Sequence, residues 1–273
     1  MYFGVDYYPE QWVFPYGGTA DNPEAQWELD AELMVKAGVN VVRMGDFTWG
    51  LCEPEDGKFN FDWLKRAMDV LGRAGIKTVL ATPTAAPPLW LSKKHPEILP
   101  VGENGQVLHE GTRRAVCFNN DIYWNRAKRL VEAMATALGK NSNLIAWQID
   151  SGIGGHLTEW SFNRDTQLEW QNWLHLKYET VEKLNDKLGL NYLGQVVTAF
   201  DQVPMPMHAP TAHNPALLLD WARFSSDTIV AFVNMQAEVL RELTPDIPLT
   251  TNLRALQRRF DHFDVAKVLD FVS

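Results

Sequence analysis

The stretch Val39-Asn40-Val41-Val42-Arg43-Met44 is a short valine-rich run that stops at a glycine, Gly45. Its β-branched residues favour a buried strand. Residues 61–74 follow with helical periodicity, and residues 76–82 form a second apolar run beyond Gly75. A strand, a helix and a strand at this spacing predict two parallel strands joined by a right-handed crossover.

The same unit recurs along the whole chain. The predicted strands cover residues 2–7, 39–44, 76–82, 144–149 and 248–252, and a sixth strand begins at 268–273. The predicted helices cover residues 25–37, 61–74, 121–138, 217–243 and 263–267, with one or two more within 165–188. There is no internal repeat and no linker, so residues 1–273 are expected to form one α/β domain.

Two architectures share this order of elements, the open doubly wound sheet and the closed (β/α)-barrel. A dinucleotide-binding sheet would carry a glycine-rich phosphate loop after its first strand, and this chain has none there. Polar residues instead follow several strands, namely Arg43, Asp46, Thr84, Asp150 and Asn252. Barrel active sites lie at these carboxyl ends. The sequence therefore predicts a TIM-type barrel with about six of the usual eight strands, an incomplete (β/α)8 domain.

Composition narrows the class of protein. The chain has 273 residues, of which 46% are hydrophobic, enough for a sizeable core. A net charge of -9 argues against nucleic acid and anionic membranes as partners. The first residues resemble a strand more than a signal peptide, and no apolar run is long enough to span a membrane. A cytoplasmic protein is the default expectation.

The cysteines bear on disulfides and metal sites, and the tryptophans bear on core packing and sugar binding. Cys52 and Cys117 are the only cysteines, and their spacing predicts no disulfide framework, no metal site and no cofactor. Eleven tryptophans serve a core first, but a surplus of indole rings also suits the flat apolar faces of sugars.

Five stretches occur together in the segments around the strand ends. They are GVDYYPEQW at 4–12, VRMGDFTW at 42–49, TPTAAPPLWL at 82–91, HPEILP at 95–100 and WQID at 147–150. In this order they resemble the β-galactosidases of glycoside hydrolase family 42. The resemblance implies retaining hydrolysis of terminal β-D-galactosides or related oligosaccharides on an eight-stranded barrel. Retention uses an acid/base carboxyl and a nucleophilic carboxylate about 5–5.5 Å apart.

The chain departs from that pattern where the acid/base group belongs. The family places an Asn and then the acid/base Glu after the fourth strand, and here these positions are Ser151 and Gly152. Residues 147–150 and 153–156 match on either side, so a shifted alignment is a poor explanation. Glycine cannot donate the proton that typically contributes about 10²- to 10⁴-fold in rate. The implied nucleophile, at the end of a seventh strand, would fall beyond residue 273, so this chain is expected to be inactive or severely impaired.

Other residues carry a functional and a structural interpretation side by side. Arg43 resembles the family's sugar-contacting arginine, and sugar binding is favoured over the alternative, a structural ion pair with Asp46 or Asp150. Asp46 stands where the family has Glu, and a structural role is favoured. By strand alternation Asp150 is expected to point away from the side of residue 151 and to act as a hydrogen-bonding group behind the site. Ser151, shorter than Asn, would hold a sugar hydroxyl less well, and Asn119 matches a stretch near the site but is also ordinary turn chemistry.

Three further features of the sequence give weaker indications of function. His156 and Glu159 could line the rim of the pocket, and replacement of the missing acid by Asp150 or Glu159 is disfavoured. Cys117 falls near a position that is a zinc ligand in some relatives, but it lacks companions. The arginines within 254–259 are interpreted as a solvated loop or an interface.

Three functional hypotheses follow. The first is a β-galactosidase-type hydrolase of little activity. The second is a non-catalytic carbohydrate-binding pseudoenzyme on the same scaffold, suggested by Arg43 and the tryptophan-rich loops. In the third, a homo-oligomer or a complementing chain covers the open edges of an incomplete barrel, since unpaired strands expose backbone groups.

Overall fold

Five parallel strands form one sheet whose spatial order is the order of the chain. The strands are β1 Gly4–Asp6, β2 Val41–Met44, β3 Lys77–Ala81, β4 Leu144–Gln148 and β5 Leu249–Thr250. The computed structural model describes residues 1–155, 158–253 and 260–273. A doubly wound sheet would reverse its strand order at a switch point, whereas this sheet runs on without reversal, as a barrel wall does. The barrel prediction therefore agrees with the topology.

Helices connect the strands on the outer face of the sheet. Their bounds are α1 Gln26–Lys36, α2 Trp49–Cys52, α3 Asp62–Arg73, α4 Leu89–Lys94, α5 Asp121–Leu138, α6 Arg164–Tyr178, α7 Val181–Leu188, α8 Pro215–Leu243 and α9 His262–Ala266. Gly75 lies just beyond α3 with φ +80° and turns the chain into β3. Because glycine adopts this left-handed conformation without steric cost, it ends the helix where the sequence predicted. Among the described helices, none is both long and apolar enough for a membrane span.

The segment predicted as a sixth strand lies beside β5 without forming a regular ladder. The Asp270 amide donates to the Leu249 carbonyl at 2.9 Å, and the Ser273 amide donates to the Thr251 carbonyl at 3.4 Å. β5 contains only two residues, so it offers too few partners for a longer pairing. The remaining predicted strands form, each shorter than expected by one to three residues.

Buried side chains form two separate clusters. The larger, which we call the barrel core, lies between the sheet and its helices. The smaller, which we call the lobe core, is built by α6, α7 and the first part of α8, between β4 and β5 in the sequence. α8 joins them, because Trp221 and Phe224 belong to the lobe core and Ile229 and Phe232 to the barrel core. The prediction of one domain did not foresee this division.

The inner face of the sheet remains partly open at β1. This strand pairs only with β2 in the described sheet, and Val5 is 43% exposed. Val5, Val41 and Val79 line a trough of about 400 Å³ along this face. Tyr2 and Phe3, next to β1, are also exposed. Asp6 and Arg43 complete the lining, so the trough combines apolar and charged groups beside the edge that further strands of a closed barrel would cover.

Candidate functional site

The carboxyl ends of β1, β2 and β4 bring charged and amide side chains together. Arg43 is the centre of this group, which we call the strand-end cluster. Its Nη2 atom lies 2.8 Å from Asp6 Oδ2 and 3.4 Å from Asp46 Oδ1. Its Nη1 atom donates to Gln148 Oε1 at 3.1 Å. The ion pair with Asp46, the alternative to sugar binding, is thus formed, while the Arg43 side chain keeps 21% of its surface exposed to solvent.

Asp46 is the buried carboxylate of the cluster. Its Oδ1 atom accepts from Gln148 Nε2 at 3.3 Å, and its Oδ2 atom is buried. Burial raises the pKa of Asp46, and the nearby Arg43 guanidinium and Ser151 side chain oppose that rise. The carboxylate is therefore held in place mainly by Arg43 and Gln148, in line with a structural role.

Asp150 does not follow strand alternation, because β4 ends at Gln148 and Asp150 lies in a turn with φ +57°. Its Oδ1 atom accepts from the Ser151 amide at 2.6 Å, and its Oδ2 atom accepts from Thr84 Oγ1 at 2.7 Å. The Asp150 amide donates to Thr82 Oγ1 at 2.7 Å. Asp150 therefore lies beyond the strand whose alternation was used to orient it, and its carboxylate caps the turn that contains Ser151.

Arg114 is a buried residue of the site that the sequence did not single out. Its side chain has no exposed surface and forms an ion pair with Asp150, Nη2 to Oδ1, at 2.5 Å. The same Nη2 atom donates to the Ser151 carbonyl, and the Arg114 amide donates to the Ala85 carbonyl at 2.7 Å. The available signal was indirect. A buried Asp150 needs a cationic partner, since unpaired charges are rarely buried.

A second row of side chains supports Asp150 from behind. Thr82 Oγ1 donates to Gln236 Oε1 at 2.7 Å, and Gln236 Nε2 donates to Thr84 Oγ1 at 3.4 Å. Gln236 is fully buried on α8, and the Tyr123 hydroxyl donates to the Thr84 carbonyl at 3.0 Å. The turn after β4 is therefore fixed through α5 and α8 as well as through the sheet.

Gly152 occupies the position where the family resemblance places the acid/base residue. It has φ +64°, and its amide donates to Asn252 Oδ1 at 2.7 Å. Asn252 thus reaches the site from the end of β5, as its position after a strand suggested. Ser151, only 6% exposed, is held through both its amide and its carbonyl. The backbone of this turn is held by these hydrogen bonds, but it presents no carboxyl group at residue 152.

Asn119 lies apart from the strand-end cluster. Its Nδ2 atom donates to Thr166 Oγ1 at 3.3 Å, and its Oδ1 atom accepts from Thr228 Oγ1 at 3.2 Å. These contacts place it in a cleft of about 380 Å³ between α5, α6 and α8. The structure therefore does not bring Asn119 together with Arg43, and its predicted role in binding the same sugar stays a prediction.

The remaining predicted features have varied positions. Glu159 is buried, at 8% exposure, in the loop after β4, and His156 lies outside the described residues, as do the arginines within 254–259. Burial raises the pKa of the Cys117 thiol and raises that of Cys52 to about 12. Across residues 1–155, 158–253 and 260–273, no three or more His, Cys, Asp or Glu side chains are close enough to share a metal ion.

Comparison with known proteins gives consistent matches over the whole chain. Residues 6–273 match glycoside hydrolase family 42, described as β-galactosidase. β-Galactosidase bgaB of Geobacillus kaustophilus is 37% identical over 271 residues, which are 99% of this chain and 39% of that protein. β-Galactosidase Bga of Halorubrum lacusprofundi is 36% identical over 273 residues, which are 100% of this chain and 38% of that protein.

Solved structures agree with the sequence matches. The β-galactosidase of the psychrophilic Marinomonas ef1 superimposes with a TM-score of 0.93 at 35% identity, over 100% of this chain and 40% of that one. The catalytic domain of a Paenibacillus polymyxa β-amylase, at 14% identity and a TM-score of 0.68, shares the fold alone. The chain spans about two fifths of the length of the curated β-galactosidases that it matches.

Proposed function

The chain belongs to glycoside hydrolase family 42, the β-galactosidase family, and we propose that it binds a β-galactoside at its strand ends without supplying the acid/base group for hydrolysis. The relatives that it matches are named β-galactosidases. Because the chain covers about two fifths of their length, their activity is carried over here as a proposal. A non-catalytic, carbohydrate-binding role on the hydrolase scaffold is the form of that proposal that the site supports best.

One observation carries this proposal, namely the turn that contains Gly152. A retaining glycosidase needs a carboxyl group beside the leaving-group oxygen, and glycine has none. The nearest carboxylate in the turn, Asp150, is fully buried and accepts hydrogen bonds from Thr84, Arg114 and the Ser151 amide. These bonds occupy Asp150 and keep it from reaching a substrate oxygen.

Sugar binding is supported by the exposed part of the strand-end cluster. Asp6 is half exposed, and Arg43 keeps part of its guanidinium accessible beside it. A carboxylate accepts hydrogen bonds from sugar hydroxyls, and a guanidinium donates hydrogen bonds to them. Hydrogen bonds that involve a charged group contribute about 1.5–3 kcal/mol each, which suits recognition of a neutral sugar.

Two measurements test the proposal. The chain is expected to release no aryl group from an aryl β-galactoside above background, with or without azide. Azide can replace a missing acid/base group only where a covalent glycosyl–enzyme intermediate forms. That intermediate needs the nucleophilic carboxylate, which the family resemblance does not place within residues 1–273. Isothermal titration calorimetry with a β-galactoside is expected to show binding that Arg43→Ala weakens. Arg66→Ala is the matched control, since Arg66 forms an exposed pair with Glu24 on the helical face. Turnover of the aryl galactoside, or equal binding by both variants, would contradict the proposal.

A second candidate role is association through the open side of the sheet. Its support is the trough lined by Val5, Val41 and Val79 beside the unpaired edge of β1. A second copy of the chain, or a complementing polypeptide, would cover this trough and pair with the edge of β1. Size-exclusion chromatography with light scattering is expected to show a dimer or larger species. A stable monomer across a wide concentration range would remove the idea.

A further inference from the structure

The cleft that contains Asn119 lies at the boundary between the two hydrophobic clusters. Trp124 of α5 packs against the barrel core, whereas Trp173 of α6 packs against the lobe core. The third wall is α8, at Asp227 and Thr228, where that helix passes from one cluster to the other. Clefts of about 300–1,000 Å³ between packing units are a common location of small-molecule sites. At about 380 Å³, this one lies within that range.

The aromatic walls of the cleft are fixed by their own hydrogen bonds. Trp124 Nε1 donates to the Phe118 carbonyl, and Trp173 Nε1 donates to Asp227 Oδ2 at 2.8 Å. Trp173 also stacks on Trp170, with 5.6 Å between ring centroids. Since both indole N–H groups are already bonded, the rings offer a ligand only apolar carbon surface. Half-buried Trp124 is thus a preorganised apolar platform.

The polar rim of the cleft has a distinctive composition. It carries two amides, Asn119 and Asn172, and three exposed carboxylates, Asp121, Glu169 and Asp227. No Lys, Arg or His is among the described residues that line it, which argues against an anionic ligand. Because the carboxylates are solvated, their field is screened within about 10 Å. Their contribution would therefore come from direct hydrogen bonds, which hydroxyl groups can donate.

An apolar platform next to a rim of amides and carboxylates matches the chemistry of a neutral saccharide. We propose that this cleft is a second carbohydrate-binding site, in which Trp124 packs against the apolar face of a sugar ring while Asn119, Asn172 and Glu169 bond its hydroxyls. The site is distinct from the strand-end cluster, and its ligand class is shared with the function proposed above. It gives a role to Asn119, which lies apart from the strand-end cluster.

The experiment uses the whole chain with lactose as the probe, followed by isothermal titration calorimetry and saturation-transfer NMR. The key variant is Glu169→Ala combined with Asn172→Ala, two exposed positions on α6 whose truncation leaves the lobe core intact. We expect lactose affinity at the cleft to fall about tenfold or more, since two hydrogen-bonding groups are lost. The matched control, Glu182→Ala with Asp186→Ala, removes exposed acidic groups from α7 and should leave affinity unchanged.

Arg43→Ala separates this proposal from the strand-end site. If the cleft binds sugar, Arg43→Ala still binds lactose, and the loss appears only when Glu169 and Asn172 are also changed. Equal lactose binding by the α6 variant and the α7 control in the Arg43→Ala background would overturn the proposal. Binding of choline to the cleft without binding of lactose would also overturn it, because that result would assign the rim to a cation.

Discussion

The contact between Asp150 and Arg114 sets the character of the site at the level of single residues. Both side chains are fully buried, so neither charge is compensated by water. Asp150→Asn keeps the shape of the side chain but leaves the Arg114 guanidinium without its anion. We expect a loss of about 3–5 kcal/mol in the free energy of unfolding, measured by urea denaturation followed by circular dichroism.

The control for this variant is the exposed pair of Asp264 and Lys267, whose side chains are 41% and 74% exposed. Asp264→Asn should cost no more than about 1 kcal/mol, because water replaces the lost partner. Similar losses for the two variants would show that burial does not govern the contribution of Asp150.

Glu10 predicts a dependence of stability on pH. Burial, with a smaller contribution from the charge of Asp46, raises the pKa of Glu10 to about 7. A glutamate in an unfolded chain has a pKa of about 4.3. Between these values the folded state holds the proton and the unfolded state does not, so stability should fall as pH rises from about 4.5 to about 7 and then level off.

Glu10→Gln should remove that decline. At pH 8 the variant is expected to be more stable than the parent chain, by on the order of 2 kcal/mol, and at pH 4.5 the two should be nearly equal. Urea denaturation at several pH values measures this, with Glu103→Gln at an exposed loop position as the control. A parallel pH dependence of the parent and Glu10→Gln would exclude Glu10 as the cause.

The residues of the site differ in how far the sequence reveals them. Arg43 and Asp46 follow β2 directly, so their position after an apolar run was enough to place them together. Arg114 lies in a loop without periodicity, and Gln236 lies within a helix, where nothing in the pattern marks its inward direction. Both are defined by contacts across long sequence separations, which a single sequence does not encode locally.

At the level of elements, α5 depends on its N-terminal residue. Asn120 Oδ1 accepts from the Tyr123 amide at 3.1 Å, and its Nδ2 donates to Asp165 Oδ2 at 2.7 Å. Asn120→Ala removes the cap of α5 and its link to α6. We expect a loss of about 1–2 kcal/mol, measured by thermal denaturation. Asn22→Ala, at an exposed position, is the control and should change stability by less than about 0.5 kcal/mol.

The ends of the long helices were predicted more accurately than the ends of the strands for a physical reason, although α2 and α4 were not predicted. Glycines after α1 and α3 mark the helix ends, and the predicted span of α5, residues 121–138, is the observed one. Strand ends depend on pairing with neighbours, which the sequence does not state. β5 shows this. The predicted strand covers residues 248–252, but only Leu249–Thr250 form it, and nothing in the sequence of residues 248 and 251–252 distinguishes strand from loop.

At the level of the whole molecule, the two hydrophobic clusters predict unequal local stability. Trp221 is fully buried in the lobe core, and Trp221→Ala should cost about 3–5 kcal/mol there. Hydrogen exchange should accelerate first in α6 and α7, while amides of β2 and β3 stay protected. Leu64→Ala in the barrel core is the matched variant and should affect β2 and β3. Uniform acceleration by Trp221→Ala would mean that the clusters unfold as one unit.

The 29 residues of α8 make a rod about 44 Å long, anchored in the lobe by Trp221 and in the barrel by Phe232 and Gln236. Because one continuous helix is packed into both hydrophobic clusters, a movement of one cluster is transmitted to the other. Any tilt of the lobe must either bend α8 or displace Gln236, whose amide is bonded to Thr82 at the end of β3. The backbone next to Gly152 is thus mechanically coupled to the lobe, which forms no part of the barrel wall.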